Sequence, residues 1–169
     1  MTEATAMHPE ILTRPGRPWL HRLVASTSDL CDAVAAIEAA APGRVAARIV
    51  RGRKATTKAA FLDEAAAALQ FPYYFGNNWD AFYDCVTDLS WLHAESGVVC
   101  VADAGHLLEN APGRDVDSLV EVMCEALRTV NDQGRALGPK ALHVVLHTTP
   151  EELPLFEQRW SELDVDDCE

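Results

Sequence analysis

The chain has 169 residues, 49% of them hydrophobic and 24% charged. That composition supports a packed core and excludes a disordered chain or a disulfide-dependent miniprotein. Lys and Arg number 14 against 26 Asp and Glu, a formal net charge of −12, which argues against a duplex-binding surface and makes a basic molecule the expected charged partner.

Residues 1–18 carry Pro9, Pro15, Gly16 and Pro18 without periodicity and read as a flexible N-terminal arm. A short strand is expected over Trp19–Val24. Ser28 or Asp29 then caps a helix with the apolar stripe Leu30, Ala33, Val34, Ile37 and Ala41, closed by Pro42 and Gly43. Arg44–Val50 alternates like a strand, and Thr57 caps a helix to Gln70 with Phe61, Ala65 and Leu69 on one face. Pro72 breaks that helix; Asn77 or Asn78 caps a second one from Trp79 to about Trp91.

The run Val98-Val99-Cys100-Val101 predicts a strand covered on both faces. Ser118–Glu121 has capping-box spacing, and Val116, Leu119, Val120, Met123, Leu127 and Val130 recur at helical period up to Gly134. Ala141–His147 is a further apolar strand. An amphipathic segment with Leu153, Phe156, Trp160 and Leu163 follows, and residues 164–169 form an acidic tail. Strands alternating with helices give an α/β class, a small mainly parallel sheet packed between helices, with residues 19–163 as a single domain.

The five cysteines, Cys31, Cys85, Cys100, Cys124 and Cys168, are odd in number, far apart and without a Cys-x-x-Cys pair, a usage that fits a reducing compartment. No signal-like start and no span-length apolar run is present, so the expected location is cytoplasmic, away from membranes.

Several chemistries lack their motifs. No Gly-x-Gly-x-x-Gly turn or Gly-x-Ser-x-Gly elbow occurs, and Gly52-Arg53-Lys54 lacks the earlier glycine and following Ser or Thr of a phosphate loop. The basic window Arg44, Arg48, Arg51, Arg53, Lys54 and Lys58 reads as a solvated strand end rather than an anion site. His143 and His147 lie on a strand, where four residues separate their rings by about 13 Å, too far for one metal ion. They are expected to hydrogen-bond locally. Asp103 and His106 form at most a weak catalytic pair by position, with a turn-forming Asp as the simpler reading.

One segment stands apart. Eight of the twelve aromatic residues fall within positions 71–91: Phe71, Tyr73, Tyr74, Phe75, Trp79, Phe82, Tyr83 and Trp91, with no Lys or Arg among them. Asp80, Asp84 and Asp88, at i, i+4 and i+8, stack like charges along one helix face at a cost of a few tenths of a kcal/mol per pair, roughly. Ala81, Phe82, Cys85, Val86 and Leu89 form the buried stripe, leaving Asp80, Tyr83, Asp84, Thr87 and Asp88 outward. An aromatic and anionic face of this kind suits a protein interface. Two carboxylates one turn apart could instead share a proton or hold a divalent cation. Carboxylate-pair hydrolases, however, place the two groups across a cleft, and a convex helix has none.

Phe71-Pro72-Tyr73-Tyr74-Phe75-Gly76-Asn77-Asn78-Trp79-Asp80-Ala81-Phe82-Tyr83-Asp84 resembles the signature of the barstar family, Leu-Pro-x-Tyr-Tyr-Gly-x-Asn-Leu-Asp-Ala-Leu-Trp-Asp. The order of elements agrees over about residues 44–148, with additions on both sides. The resemblance implies a barstar-like fold and an inhibitor, not an enzyme, that plugs the active site of a basic, extracellular-type guanyl-specific ribonuclease, without binding nucleic acid itself and without cofactor or metal. It carries partner-binding roles to Tyr74, Asp80, Tyr83, Asp84 and Thr87, and to Glu125 of the next helix, while Asn78 caps and pre-orients the acidic helix. Asn77, Tyr83 and Asp88 depart from the family's usual Glu, Trp and Gly. The alternatives are a non-inhibitory module for another basic protein and a metal-dependent hydrolase using Asp80 and Asp84. The inhibitor reading requires those carboxylates to face outward, unmatched by the chain's own arginines.

Overall fold

The computed structural model describes residues 9–12, 14, 16–133, 138–161, 163 and 168. Its elements in chain order are α1 (Pro9–Leu12), β1 (Leu20–Val24), α2 (Thr27–Ala40), β2 (Val45–Arg51), α3 (Lys58–Leu69), α4 (Trp79–Asp88), β3 (Ser96–Ala102), α5 (Gly113–Gln133), β4 (Ala141–Thr148) and α6 (Leu153–Trp160). The four strands form one all-parallel sheet in the order β1-β4-β3-β2. Every residue of β3 and β4 is buried, as the unbroken apolar runs require.

Alternation along the strands divides the core in two. Leu20, Val50, Val99, Val101, Val144 and Leu146 face helices α3 to α6, where Phe61, Leu69, Phe82, Val86, Leu127 and Trp160 cover them. Leu23, Val45, Ala47, Val98, Cys100 and Val145 face the other way, against Leu12 of α1 and Leu30 and Ile37 of α2. The α/β class and the small parallel sheet packed between helices expected from the sequence are both present.

Local chemistry accounts for most helix ends. Ser26 Oγ accepts from Asp29 N–H at 3.1 Å, so α2 begins two residues earlier than expected, and Thr57 Oγ1 accepts from Ala60 N–H at 3.3 Å to start α3. Helix α5 begins at Gly113, directly after Pro112, which places the capping-box residues Ser118 and Glu121 inside the helix.

Where the sequence predicts a loose arm, the described part is docked. Leu12 is buried, its carbonyl accepts from Ser96 Oγ at 2.8 Å, and the Arg14 carbonyl accepts from His143 Nε2 at 2.9 Å. The remainder of 1–8 and residues 13 and 15 lie outside the described residues, as does the acidic tail 164–169 apart from Cys168. The histidines expected to bond locally do the opposite. His143 and His147 are fully buried and tie distant segments to β4. Since His143 Nε2 donates to Arg14, its Nδ1 is left to accept from His21 Nε2 at 3.1 Å. His147 Nε2 donates to the Ala25 carbonyl at 3.0 Å, leaving Nδ1 to accept from Asp103 N–H at 3.3 Å.

The arginines of the basic window are paired within the chain. Arg44 pairs with Glu95 at 3.0 Å, Arg48 with Glu38 at 2.8 Å and Arg51 with Glu64 at 2.6 Å, while Arg53 bridges Asp103 and Glu152. Two of these acids also bond to the outer edge of β2: Glu38 Oε1 accepts from Ala47 N–H at 3.0 Å and Glu64 Oε1 from Arg51 N–H at 3.2 Å. Hydrogen bonding from Arg51 holds the Glu64 carboxyl below the usual carboxylate range.

The expectation of separate thiols fails at one pair. Cys124 of α5 is bonded to Cys168 across a sequence separation of 44, a partnership invisible in the cysteine spacing. Both line an apolar cavity of about 60 Å³ between the sheet and α3 to α6. Cys85 and Cys100 are free and buried, and Cys31 is free and exposed. Among the described residues no helix is long and apolar enough to cross a membrane.

Two predictions follow from this packing. Reducing the disulfide, or Cys124→Ser, should lower the unfolding free energy by about 4 kcal/mol on the chain-entropy account of loop closure, read as a lower urea midpoint with reductant. Burial, with His143 alongside, pushes His21 down to about 4 from the ordinary 6.5, and burial lowers His143 too. The unfolded chain therefore binds protons that the native chain refuses, and stability should fall as pH drops below 6.5 toward 4. Urea midpoints measured between pH 6.5 and about 5, above the ordinary carboxylate range, should decline in the native chain and decline less steeply in His21→Phe, where His143 alone remains.

Candidate functional site

Helix α3 ends at Gln70, which takes a left-handed conformation at φ 55°. Pro72 then forces a turn, closed by Phe75 N–H donating to the Pro72 carbonyl at 3.0 Å. The turn's flanking rings point inward: Phe71 meets Phe75 edge-on at 4.9 Å and packs against Phe82 and Trp91. Trp91 Nε1 donates to the Leu69 carbonyl at 2.9 Å and ties this cluster to the end of α3. The two central residues point out, Tyr73 at 105% and Tyr74 at 77% exposure.

Asn78 starts α4. Its Oδ1 accepts from Ala81 N–H at 2.8 Å and its Nδ2 donates back to the Gly76 carbonyl at 3.2 Å, so one side chain fixes both the helix and the loop before it. Of the expected inward stripe, Phe82, Cys85, Val86 and Leu89 are buried and Ala81 is half-buried. The helix stops at Asp88, short of Trp91, because Leu89 turns left-handed at φ 44° and buries its side chain. Gly138 seals that end. A Cβ there would lie 2.1 Å from the Asp88 carbonyl oxygen, and its φ of +85° favours glycine independently.

Asp80 and Asp84 are exposed and Asp88 is half-buried. Among the described residues, no ion pair involves any of the three. Their charge is nevertheless felt: burial foremost, then Asp84 and Asp88, pushes the Cys85 thiol up. Lys58 of α3 sits over the Trp79 ring at 5.0 Å.

Two residues expected on the outward face are not free of the fold. Thr87 is buried at 3% exposure, its Oγ1 donating to the Tyr83 carbonyl at 2.9 Å and lying 3.2 Å from the Asp84 carbonyl. Helix α5 packs alongside α4, and the Thr87 hydroxyl is turned back onto its own helix. Tyr83 is half-buried, with its hydroxyl 2.9 Å from Thr129 Oγ1 of α5. Glu125 is exposed one turn before Thr129, which brings it to the α4 side of α5. Asp103 and His106 do not pair with each other; Asp103 binds Arg53, and His106 binds Glu109 at 2.9 Å and Glu152 at 3.3 Å. Among the described residues no group of three or more His, Cys, Asp or Glu is placed to hold a metal ion.

A family model described as barstar (barnase inhibitor) matches residues 45–139, more than half of the chain. The chain belongs to the barstar family. The matched span runs from β2 through α5 and contains the whole loop and acidic helix described above, while β1, α2 and α6 lie outside it. No curated protein matches the chain. A solved structure described as the Aeropyrum pernix ORC2 protein in its ADP form is similar, with a TM-score of 0.54 at 13% identity, covering 91% of this chain and 42% of that one. This chain thus spans less than half of that protein's length, and the likeness is one of fold alone. The residues carried over from the family fall into two groups here: Tyr74, Asp80, Asp84 and Glu125 stand at the surface, while Tyr83 reaches Thr129 of α5 and Thr87 is buried.

Asn78→Ala should remove the cap and the loop tether together. The expected loss is about 1 kcal/mol of stability, the usual value of a helix cap, measured by urea unfolding, with faster amide exchange confined to 76–82.

Proposed function

We propose that this barstar-family chain is an inhibitor of a basic ribonuclease of the guanyl-specific, extracellular type. The observation that carries this reading is the division of charge. The arginines of the 44–58 window are engaged by acids of the same chain, whereas Asp80 and Asp84 project from α4 with no ion pair among the described residues. Unpaired carboxylates on a rigid helix are a match for the cationic pocket in which a ribonuclease holds phosphate, where they would gain charge-assisted hydrogen bonds. Asp84 is the central contact, Asp80 and Tyr74 extend it along the helix and loop, and Glu125 adds a carboxylate from α5. Asn78, Tyr83 and Thr87 act behind that surface, holding α4 in place.

A non-inhibitory module for another basic protein would use the same face. Mixing the chain with guanyl-specific ribonucleases and following RNA hydrolysis separates the two, because only the inhibitor suppresses turnover. For the inhibitor, Asp84→Ala should weaken the complex by about 2–5 kcal/mol, the general cost of truncating one member of a buried, hydrogen-bonded charge pair. That scale comes in part from the barnase–barstar complex itself and is the family's own. Asp32→Ala, on α2 across the sheet, should leave inhibition unchanged. Equal effects of the two substitutions would count against the assignment of α4.

A further inference from the structure

Tyr73 and Tyr74 occupy the two central positions of the turn closed between Pro72 and Phe75. With Ile11 they are the large hydrophobic residues left exposed among those described, and Tyr73 is exposed completely. A single exposed ring needs no explanation, but two adjacent rings at the tip of a fixed turn are different. Both ends of the turn are anchored: Phe71 and Phe75 pack against each other, Phe71 reaches Phe82 and Trp91, and Asn78 holds the Gly76 carbonyl. The rings are therefore presented on an ordered backbone, so little freedom remains to be lost when something stacks on them.

The charge of the surroundings identifies what that is. Positions 71–91 contain no Lys or Arg, and the helix that follows exposes Asp80 and Asp84. A surface complementary to this region is cationic. Of the two protein cations, guanidinium is planar, weakly hydrated and able to lie flat on a phenol ring while its edge donates to a carboxylate, whereas ammonium is a compact, strongly hydrated point charge.

We propose that the Tyr73–Tyr74 tip is an arginine-accepting site that makes the basic partner's arginines, rather than its lysines, the determinants of recognition. The inference rests on reading the α4 face as an interface to a basic protein and adds Tyr73, which the family motif does not carry over. The test titrates the full chain with blocked hexa-arginine and hexa-lysine peptides at low salt. The arginine peptide should bind about two- to five-fold more tightly, the range expected for stacking at an exposed site. Tyr73→Ser combined with Tyr74→Ser should bring the two affinities together, and Tyr73→Phe, which keeps the ring, should preserve the difference. Asp84→Asn should weaken both peptides alike. Equal affinities in the native chain, no binding of either peptide, or a preference surviving the double substitution would overturn the proposal. Because no ribonuclease is involved, an arginine preference without nuclease inhibition would sink the inhibitor reading alone, and inhibition without the preference would sink this one alone.

Discussion

The two central strands, β3 and β4, are buried along their whole length, and the rest of the molecule is arranged to keep water from both of their faces. Helices α3 to α6 cover one side and α1 with α2 the other. This constraint explains why the N-terminal addition is not ornamental: β1 extends the sheet beyond β4, and α2 supplies Leu30 and Ile37 to a face that would otherwise expose Val98, Cys100 and Val145. It also explains the buried histidines, whose ring nitrogens find acceptors on the segments flanking β1 and so fasten those segments across β4.

On that scaffold, like-for-like side chains have opposite fates. Arginines near β2 end in ion pairs with acids from α2, α3 and the loops, so their charge is matched within the chain. The aspartates of α4 have the reverse situation, held along one face of a ten-residue helix whose start is fixed by Asn78 and whose end is fixed by Leu89 and the close approach of Gly138. The like-charge cost along that face is tolerated because α4 is seated by Phe82, Val86 and Leu89 beneath it and by Tyr83 and Thr87 at its flank.

Much of this was legible in the residues. The strands follow from apolar runs and alternation, Thr57 and Asn78 cap where their side-chain chemistry says they should, and the 71–84 motif carries the family. What failed to show depends on neighbours distant in the chain. Helical periodicity places Thr87 outward, but the packing around α4 buries it. The bond between Cys124 and Cys168 and the pairing of His21 with His143, 122 residues apart, have no local signature at all. The start of α2 slipped for a smaller reason: Ser26, Ser28 and Asp29 are all competent caps, and only the backbone geometry selects Ser26.

The acids that neutralise the β2 arginines have a second effect, through the N–H groups they accept on the rim of the sheet. An extended peptide from another molecule, arriving alongside β2, would find the Ala47 and Arg51 N–H groups already committed to side chains of the same chain. Those two positions offer it no donor. A strand with an open flank is thereby made a poorer template for fibrous growth, with side chains alone and no proline or bulge to do it.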